Sequence, residues 1–98
     1  MVLQVIGQSF DVGESLTNHV RETVEKKFAK YNVEVIGGNV TFAEAPHKKV
    51  SASVNMQIKG NDVFAKSEGD DAYGAFATAF ADVEKQILKI IDKERNNK

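Results

Sequence analysis

Residues 49–59 alternate between apolar and polar side chains over almost their whole length. A period of two predicts a β-strand with one buried side and one side that faces solvent. Gly60-Asn61 directly afterwards predicts a tight hairpin, and residues 62–67 predict a further strand. In the strand at residues 49–59 the apolar positions are Val50, Ala52, Val54, Met56 and Ile58.

Two other segments repeat their apolar residues at steps of three and four, which predicts amphipathic helices over residues 14–31 and from Asp71 to about Glu94. Asp11 or Gly13 is the candidate N-cap of the first helix. The stripe of the first helix is Leu16, Val20, Val24, Phe28 and Tyr31. That of the second is Ala72, Tyr73, Phe76, Ala79, Phe80, Val83, Ile87, Ile90 and Ile91.

The rest of the chain supplies two more strands and the connections. Residues 2–7 and 40–44 are short, apolar segments that predict strands, and residues 45–48 predict a turn. Residues 32–39, which contain Gly37 and Gly38, predict a loop that packs against the domain. The order β-α-β-β-β-α then predicts an α+β two-layer sandwich. It has a four-stranded sheet, parallel first two strands, both helices on one face and the other face open to water.

Length and composition limit the class of protein. A chain of 98 residues fits one domain, which we place at residues 1–94 with a polar tail at 95–98. The absence of cysteine removes disulfides and thiolate chemistry and suits a reducing compartment. No secretory signal or membrane-spanning run is present, so no membrane partner is predicted.

Few residues suggest catalysis or the binding of a metal ion. His19 and His47 lie on different elements, so no metal site is predicted. Glu68, Asp70 and Asp71 suit a hard cation, but they suit the capping of a helix N-terminus better. The serines have no neighbouring base and the glycines form no phosphate loop. We therefore predict no enzyme, no cofactor and no small-molecule substrate.

Charge gives a mixed signal about nucleic acid. Thirteen basic against 14 acidic residues give a net charge of −1, whereas nucleic-acid-binding proteins are usually basic. On a helical wheel, however, Lys26, Lys27 and Lys30 share one flank of the first helix with His19 and Thr23. Lys85, Lys89 and Lys93 form a column on the second helix, diluted by Asp71, Asp82 and Asp92. His47, Lys48 and Lys49 add a third basic cluster.

Two interpretations of these lysines stay open. They form a phosphate-binding surface, since ammonium groups are donors that tolerate varied phosphate positions. Alternatively they are the solvated faces of ordinary amphipathic helices. Tyr73 raises a similar choice between stacking on a base and packing in the core. Its position on the apolar stripe favours the core.

Several motifs resemble one known family. Residues 68–76, E-G-D-D-A-Y-G-A-F, and residues 83–87, V-E-K-Q-I, resemble the signature E-G-x-D-x-Y-x-A-I followed by L-E-R-Q-L. This signature is found in ribosome hibernation-promoting factors and ribosome-associated inhibitors. Residues 7–16 and the hairpin at 50–63 also resemble that family, so that the likeness spans about residues 1–92.

The resemblance implies a fold similar to double-stranded RNA-binding domains. It also implies a cytoplasmic protein that binds the small ribosomal subunit and its RNA in the channel for messenger and transfer RNA. There it would inhibit translation under stress or in stationary phase. The basic positions that match the family are Lys26, Lys30, Lys85 and Lys89, with Lys48 a looser match. Asp82 and the weakly basic end at residues 88–92 depart from the family and imply weaker binding.

Long members of the family carry a C-terminal domain that dimerises ribosomes. The sequence therefore resembles either a short form or the N-terminal domain of a long form. The corresponding partner is a missing dimerisation domain or a separate ribosome-dimerising factor. The alternative function is a protein-interaction module that uses the open sheet face or an apolar patch at Ile90 and Ile91.

Overall fold

The computed structural model describes residues 2–31 and 34–96. The element order confirms the predicted β-α-β-β-β-α arrangement, with one turn of 3₁₀ helix at Pro46–Lys48 between the second and third strands. The strands are β1 (Val2–Gln8), β2 (Val35–Ala45), β3 (Lys49–Ile58) and β4 (Asn61–Gly69). The helices are α1 (Glu14–Ala29) and α2 (Ala72–Asn96).

The four strands form one sheet in the order β1-β2-β3-β4. β1 is parallel to β2, as a β-α-β crossover predicts, and the other neighbours are antiparallel. On β3, Ala52, Val54 and Met56 are fully buried, which confirms the predicted apolar side. The opposite side is less exposed than predicted, because Ser51 is also buried, with 7% of its surface exposed. Register aligns Val54 with Val40 on one side and Ala65 on the other, so a continuous apolar row lies beneath the helices.

Aromatic rings join the two helices above this row. The Phe28 ring of α1 lies 5.7 Å from that of Phe80 on α2, and Phe80 lies 5.5 Å from Phe76. Each buried ring contributes about 1.5–3 kcal/mol of burial free energy, so this group is a large part of the core. The side of α2 nearest the sheet carries the small residues Ala72, Ala75 and Ala79, which let the helix approach closely.

The predicted loop at residues 32–39 is wrong over most of its length, because β2 already begins at Val35. Asn32 and Val33 lie outside the described residues. Gly38 pairs with Met56, and a Cβ on Gly38 would lie 2.5 Å from the Asn55 carbonyl oxygen and 2.6 Å from Met56 Sδ. The glycines thus permit close strand packing here instead of ending a strand.

Smaller boundary differences have local causes. α1 ends at Ala29 rather than at Tyr31, and the N–H groups of Lys30 and Tyr31 close its last turn. Ile58 pairs with Asn61, so the hairpin loop is Lys59-Gly60, one residue earlier than predicted. Gly13 is the N-cap of α1, without a side-chain cap.

We expect Gly38→Ala to lower the free energy of unfolding by about 1–3 kcal/mol through overpacking. In a strand with free space, the same change would stabilise by about 0.4–1 kcal/mol because it restricts the unfolded chain, so the sign of the effect is diagnostic. Urea denaturation measures it. Gly13→Ala is the steric control, since its Cβ would meet nothing within 4 Å, and any cost it has comes from the preference of an N-cap for glycine over alanine. A stabilised Gly38→Ala variant would contradict the packing described.

Candidate functional site

The lysine-bearing flank of α1 faces α2. The ring of His19, on the same flank, lies 5.0 Å from the ring of Tyr73 and 6.0 Å from that of Phe76. Further along, Lys27 Nζ lies 4.0 Å from Glu84 Oε2. Contacts thus advance together along both helices, which shows that α1 and α2 run in the same direction. Lys26, Lys27 and Lys30 lie at the C-terminal end of α1, where the line of contact between the two helices reaches that end.

The lysine column of α2, formed by Lys85, Lys89 and Lys93, lies away from the contact between the two helices. Glu84 faces α1, and Lys85 follows it about 100° further around the helix. Each step of four residues adds about 40° more, so Lys89 and Lys93 move towards the side that carries Gln86. Gln86 Nε2 donates to the Phe64 carbonyl oxygen of β4 at 2.7 Å, which identifies that side as the β4 edge. The two lysine rows therefore diverge around the outer surface of α2.

The seven lysines predicted to bind ribosomal RNA differ in their exposure and in their ion pairing. Lys26, Lys30, Lys85, Lys89 and Lys93 are exposed. Of these, Lys26, Lys30, Lys85 and Lys89 have no ion-pair partner among the described side chains. Lys27 is half-buried and lies beside Glu84. Lys27 thus contributes to the contact between the helices, whereas the exposed lysines are available to a ligand.

Lys48 lies at the opposite end of the molecule from the other six. It belongs to the connection between β2 and β3, where neighbouring Lys49 pairs with Asp70 just before α2 begins. This contact lowers the pKa of the Asp70 carboxyl, through the hydrogen bond first and the charge of Lys49 second. Lys85 lies about 21 Å along α2 from Asp71. The structure therefore does not join the three basic clusters into one continuous surface.

The contact between Tyr31 and Glu84 was not predicted from the sequence. Tyr31 Oη donates to Glu84 Oε2 at 2.7 Å, linking the end of α1 to the middle of α2. The hydrogen bond to Glu84 raises the pKa of Tyr31, as do partial burial and the carboxylate charge. The sequence did contain one indication of this contact, because Tyr31 lies at the end of the apolar stripe of α1. A half-buried hydroxyl in such a position generally needs a hydrogen-bond partner.

Tyr73 is 42% exposed, so its prediction as a core residue is wrong. Its hydroxyl lies 3.2 Å from Ser15 Oγ, and its ring lies beside His19. Tyr73 is in the first turn of α2, where the flank of the helix that faces α1 is still open to solvent. The aromatic ring therefore helps to join the starts of the two helices while one part of it stays accessible.

Other motif residues hold α2 in place. Asp71 Oδ1 accepts from the Gly74 N–H at 2.7 Å, which confirms the predicted carboxylate cap at this helix start. A Cβ on Gly69 would lie 2.9 Å from Ala75 N, so the end of β4 passes α2 too closely for a side chain. With Glu84 bonded to Tyr31 and Gln86 bonded to β4, the motif residues are mainly structural contacts.

Residues 2–31 and 34–96 contain no cluster of three or more side chains suited to holding a metal ion. No helix within those ranges has the length and apolar character needed to cross a bilayer.

This architecture places the chain in a class of small α+β domains known from solved structures. The crystal structure of the Thermus thermophilus Protein Y N-terminal domain superposes with a TM-score of 0.80, at 21% identity, over 92% of this chain and 99% of that one. A ribosomal subunit interface protein from Coxiella burnetii gives a TM-score of 0.75, at 25% identity, over 94% and 99% of the two chains. No curated protein sequence matches the chain.

The family assignment follows from the sequence itself. Residues 3–95 match the family described as Sigma 54 modulation protein / S30EA ribosomal protein, and the chain belongs to that family. The family match and the two structural neighbours together indicate a ribosome-associated protein of the subunit-interface, hibernation type. The family resemblance seen in the sequence is therefore confirmed.

We expect Tyr31→Phe to lower the free energy of unfolding by about 1 kcal/mol at neutral pH, since the hydrogen bond to Glu84 is lost. Because the folded-state pKa of Tyr31 is raised, this stabilisation is complete below the unfolded pKa near 10.0 and is lost as the pH rises through the folded value. The difference between wild type and variant should therefore disappear at strongly alkaline pH.

Urea denaturation at several pH values measures this difference. Tyr73→Phe is the matched control, because it removes a hydroxyl whose contact with Ser15 is exposed. Equal effects of the two variants at neutral pH would contradict a special role for Tyr31.

Proposed function

We propose that this protein binds the small ribosomal subunit in the channel for messenger and transfer RNA and inhibits translation under stress or in stationary phase. It acts in the cytoplasm by occupying space, without catalysis. The observation that supports this best is the group of exposed lysines, Lys26 and Lys30 at the C-terminal end of α1 and Lys85, Lys89 and Lys93 in the C-terminal half of α2.

Lysine side chains suit such a ligand. Ribosomal RNA presents phosphates at many angles, and an ammonium group on a flexible stem can follow them. Binding through phosphates releases counterions and therefore weakens steeply as salt rises. Recognition of structured RNA then depends mainly on shape, with little reading of base sequence. The diverging lysine rows match a ligand that wraps around α2 better than one held in a cleft between the helices.

The net charge of −1 limits how strongly this surface can bind. Asp82 and Asp92 are exposed on the same helix as the lysine column. Each carboxylate repels nearby phosphates, so we expect modest affinity and a footprint confined to a few contacts. A C-terminal dimerisation domain or a separate ribosome-dimerising factor would add to this binding.

The direct experiment is co-sedimentation of the protein with small ribosomal subunits over about 50–200 mM salt. We expect binding at low salt that decreases as salt rises. No co-sedimentation at the lowest salt would exclude the proposal. Protection of ribosomal RNA from chemical probing in the channel tests the location, and an in vitro translation assay tests inhibition.

We expect the double variant Lys85→Glu with Lys89→Glu to bind at least about tenfold more weakly, because two phosphate contacts are lost and two repulsions are added. The slope of log affinity against log salt should fall by about 1.4–1.8 if each lysine meets one phosphate. Lys59→Glu with Lys66→Glu is the control, since it changes net charge equally at exposed positions outside the clusters. Equal losses in both double variants would show that net charge matters and position does not.

The open sheet face favours a second candidate, a protein-interaction module. Phe64 and Ile36 are each 56% exposed on β4 and β2, where they offer apolar surface to a protein partner. The predicted patch at Ile90 and Ile91 is a weaker candidate, because both side chains are half-buried against the core. Binding of a protein that is insensitive to salt and abolished by Phe64→Ser would support this function over RNA binding.

A further inference from the structure

The two edges of the sheet are protected very differently. In the order β1-β2-β3-β4, both β1 and β4 have one side without a neighbouring strand. The backbone N–H and C=O groups on such a side can pair with a further strand. Proteins commonly prevent this with charged residues, proline or a covering element.

β4 carries two of these protections. Asp62, Lys66 and Glu68 place three charges along nine residues. α2 covers part of the edge as well, because Gln86 Nε2 donates to the Phe64 carbonyl oxygen at 2.7 Å. A strand that approached β4 would have to displace this hydrogen bond and bury charged side chains.

β1 carries neither protection. Its sequence V-L-Q-V-I-G-Q contains no charged residue and no proline. Val2 is 71% and Ile6 39% exposed, and Val5 is half-buried on the side beneath the helices. Among the described residues, no side chain forms a hydrogen bond with the backbone of β1. This edge therefore presents unpaired backbone groups between apolar side chains.

We infer that the outer edge of β1 pairs with β1 of a second copy of this chain. The pairing is antiparallel about a two-fold axis near Val5 and joins two four-stranded sheets into one. Val5 then lies opposite Val5 of the second copy, and Gln4 lies opposite Ile6. The half-buried Val5 side chains cover each other, and backbone groups on both edges are paired.

The chemistry of the two edges identifies the partner. A charge-free strand pairs best with another charge-free strand, and within the described residues β1 is the edge strand with this property. Pairing of β1 with β4 would generate an open chain of molecules, but the charges and Gln86 at β4 oppose it. Association through the edges is therefore closed and dimeric. One pair of seven-residue strands is small compared with a standard interface, so we expect a weak dimer that forms at high protein concentration.

Sedimentation equilibrium of the whole chain up to about 1 mM tests this inference, and we expect a concentration-dependent dimer. Gln4→Lys with Ile6→Lys, and separately Gln4→Glu with Ile6→Glu, place like charges opposite each other in the dimer. Each variant alone should associate at least about tenfold more weakly. An equimolar mixture of the two should restore dimers, because lysine then faces glutamate.

Phe64→Lys is the matched control, since it adds a charge to the most exposed apolar side chain of β4. It should leave the dimer unchanged. A strictly monomeric wild type, dimers that both charged variants retain, or loss of the dimer in Phe64→Lys would each overturn the inference. If the charged variants do not fold, the inference is tested by measuring hydrogen exchange of the backbone amides of residues 2–8 in the wild-type protein. Those amides should exchange more slowly as protein concentration rises, and exchange independent of concentration would overturn the inference.

Discussion

The close approach of α2 to β3 and β4 determines most of the remaining structure. It requires small residues on both surfaces, and the helix supplies buried Ala75 and Ala79 while the sheet supplies Ala52 and Gly69. Larger side chains at these positions would lift the helix from the sheet. Once α2 is close, its flank meets α1 through Phe80 and Phe28, and the outer face of the helix is left to carry lysine.

The residues that mark the family are chiefly those that secure this packing. Gly69 permits the close approach, Asp71 caps the helix, Glu84 accepts from Tyr31, and Gln86 reaches β4. None of these contacts needs a ligand. A family signature read from the sequence therefore identifies the scaffold more directly than the binding surface. This explains how the chain can keep the fold at 21–25% identity while Asp82 and Asp92 alter the charge of its exposed face.

The sequence predicted the fold well because its elements have clear periods. The alternation of β3 and the apolar stripes of both helices reflect which side chains are buried, and the order of apolar and polar residues in the sequence shows this directly. Residues 35–39 were misread because glycine usually ends strands, whereas here Gly38 accommodates Asn55 and Met56 of the next strand. Tyr73 was assigned to the core, and the hydrogen bond of Tyr31 to Glu84 was missed, because each side chain lies at the margin of an apolar stripe. At such a margin the neighbouring helix decides exposure, and the sequence does not show that neighbour.

The parallel arrangement of the helices gives their lysines two physical roles. Because α1 and α2 run in the same direction, the negative ends of both helix dipoles lie at the same end of the molecule. Cations there stabilise the fold before any ligand binds, and Lys26 and Lys27 in the last turn of α1 do this directly. Dipole compensation falls off within the last turn, so it does not account for Lys85, which precedes the end of α2 by eleven residues. Lys85 is exposed and lies away from both the dipole end and the contact between the helices, so neither of these accounts for its charge. Under the proposed function this charge meets a phosphate of the RNA.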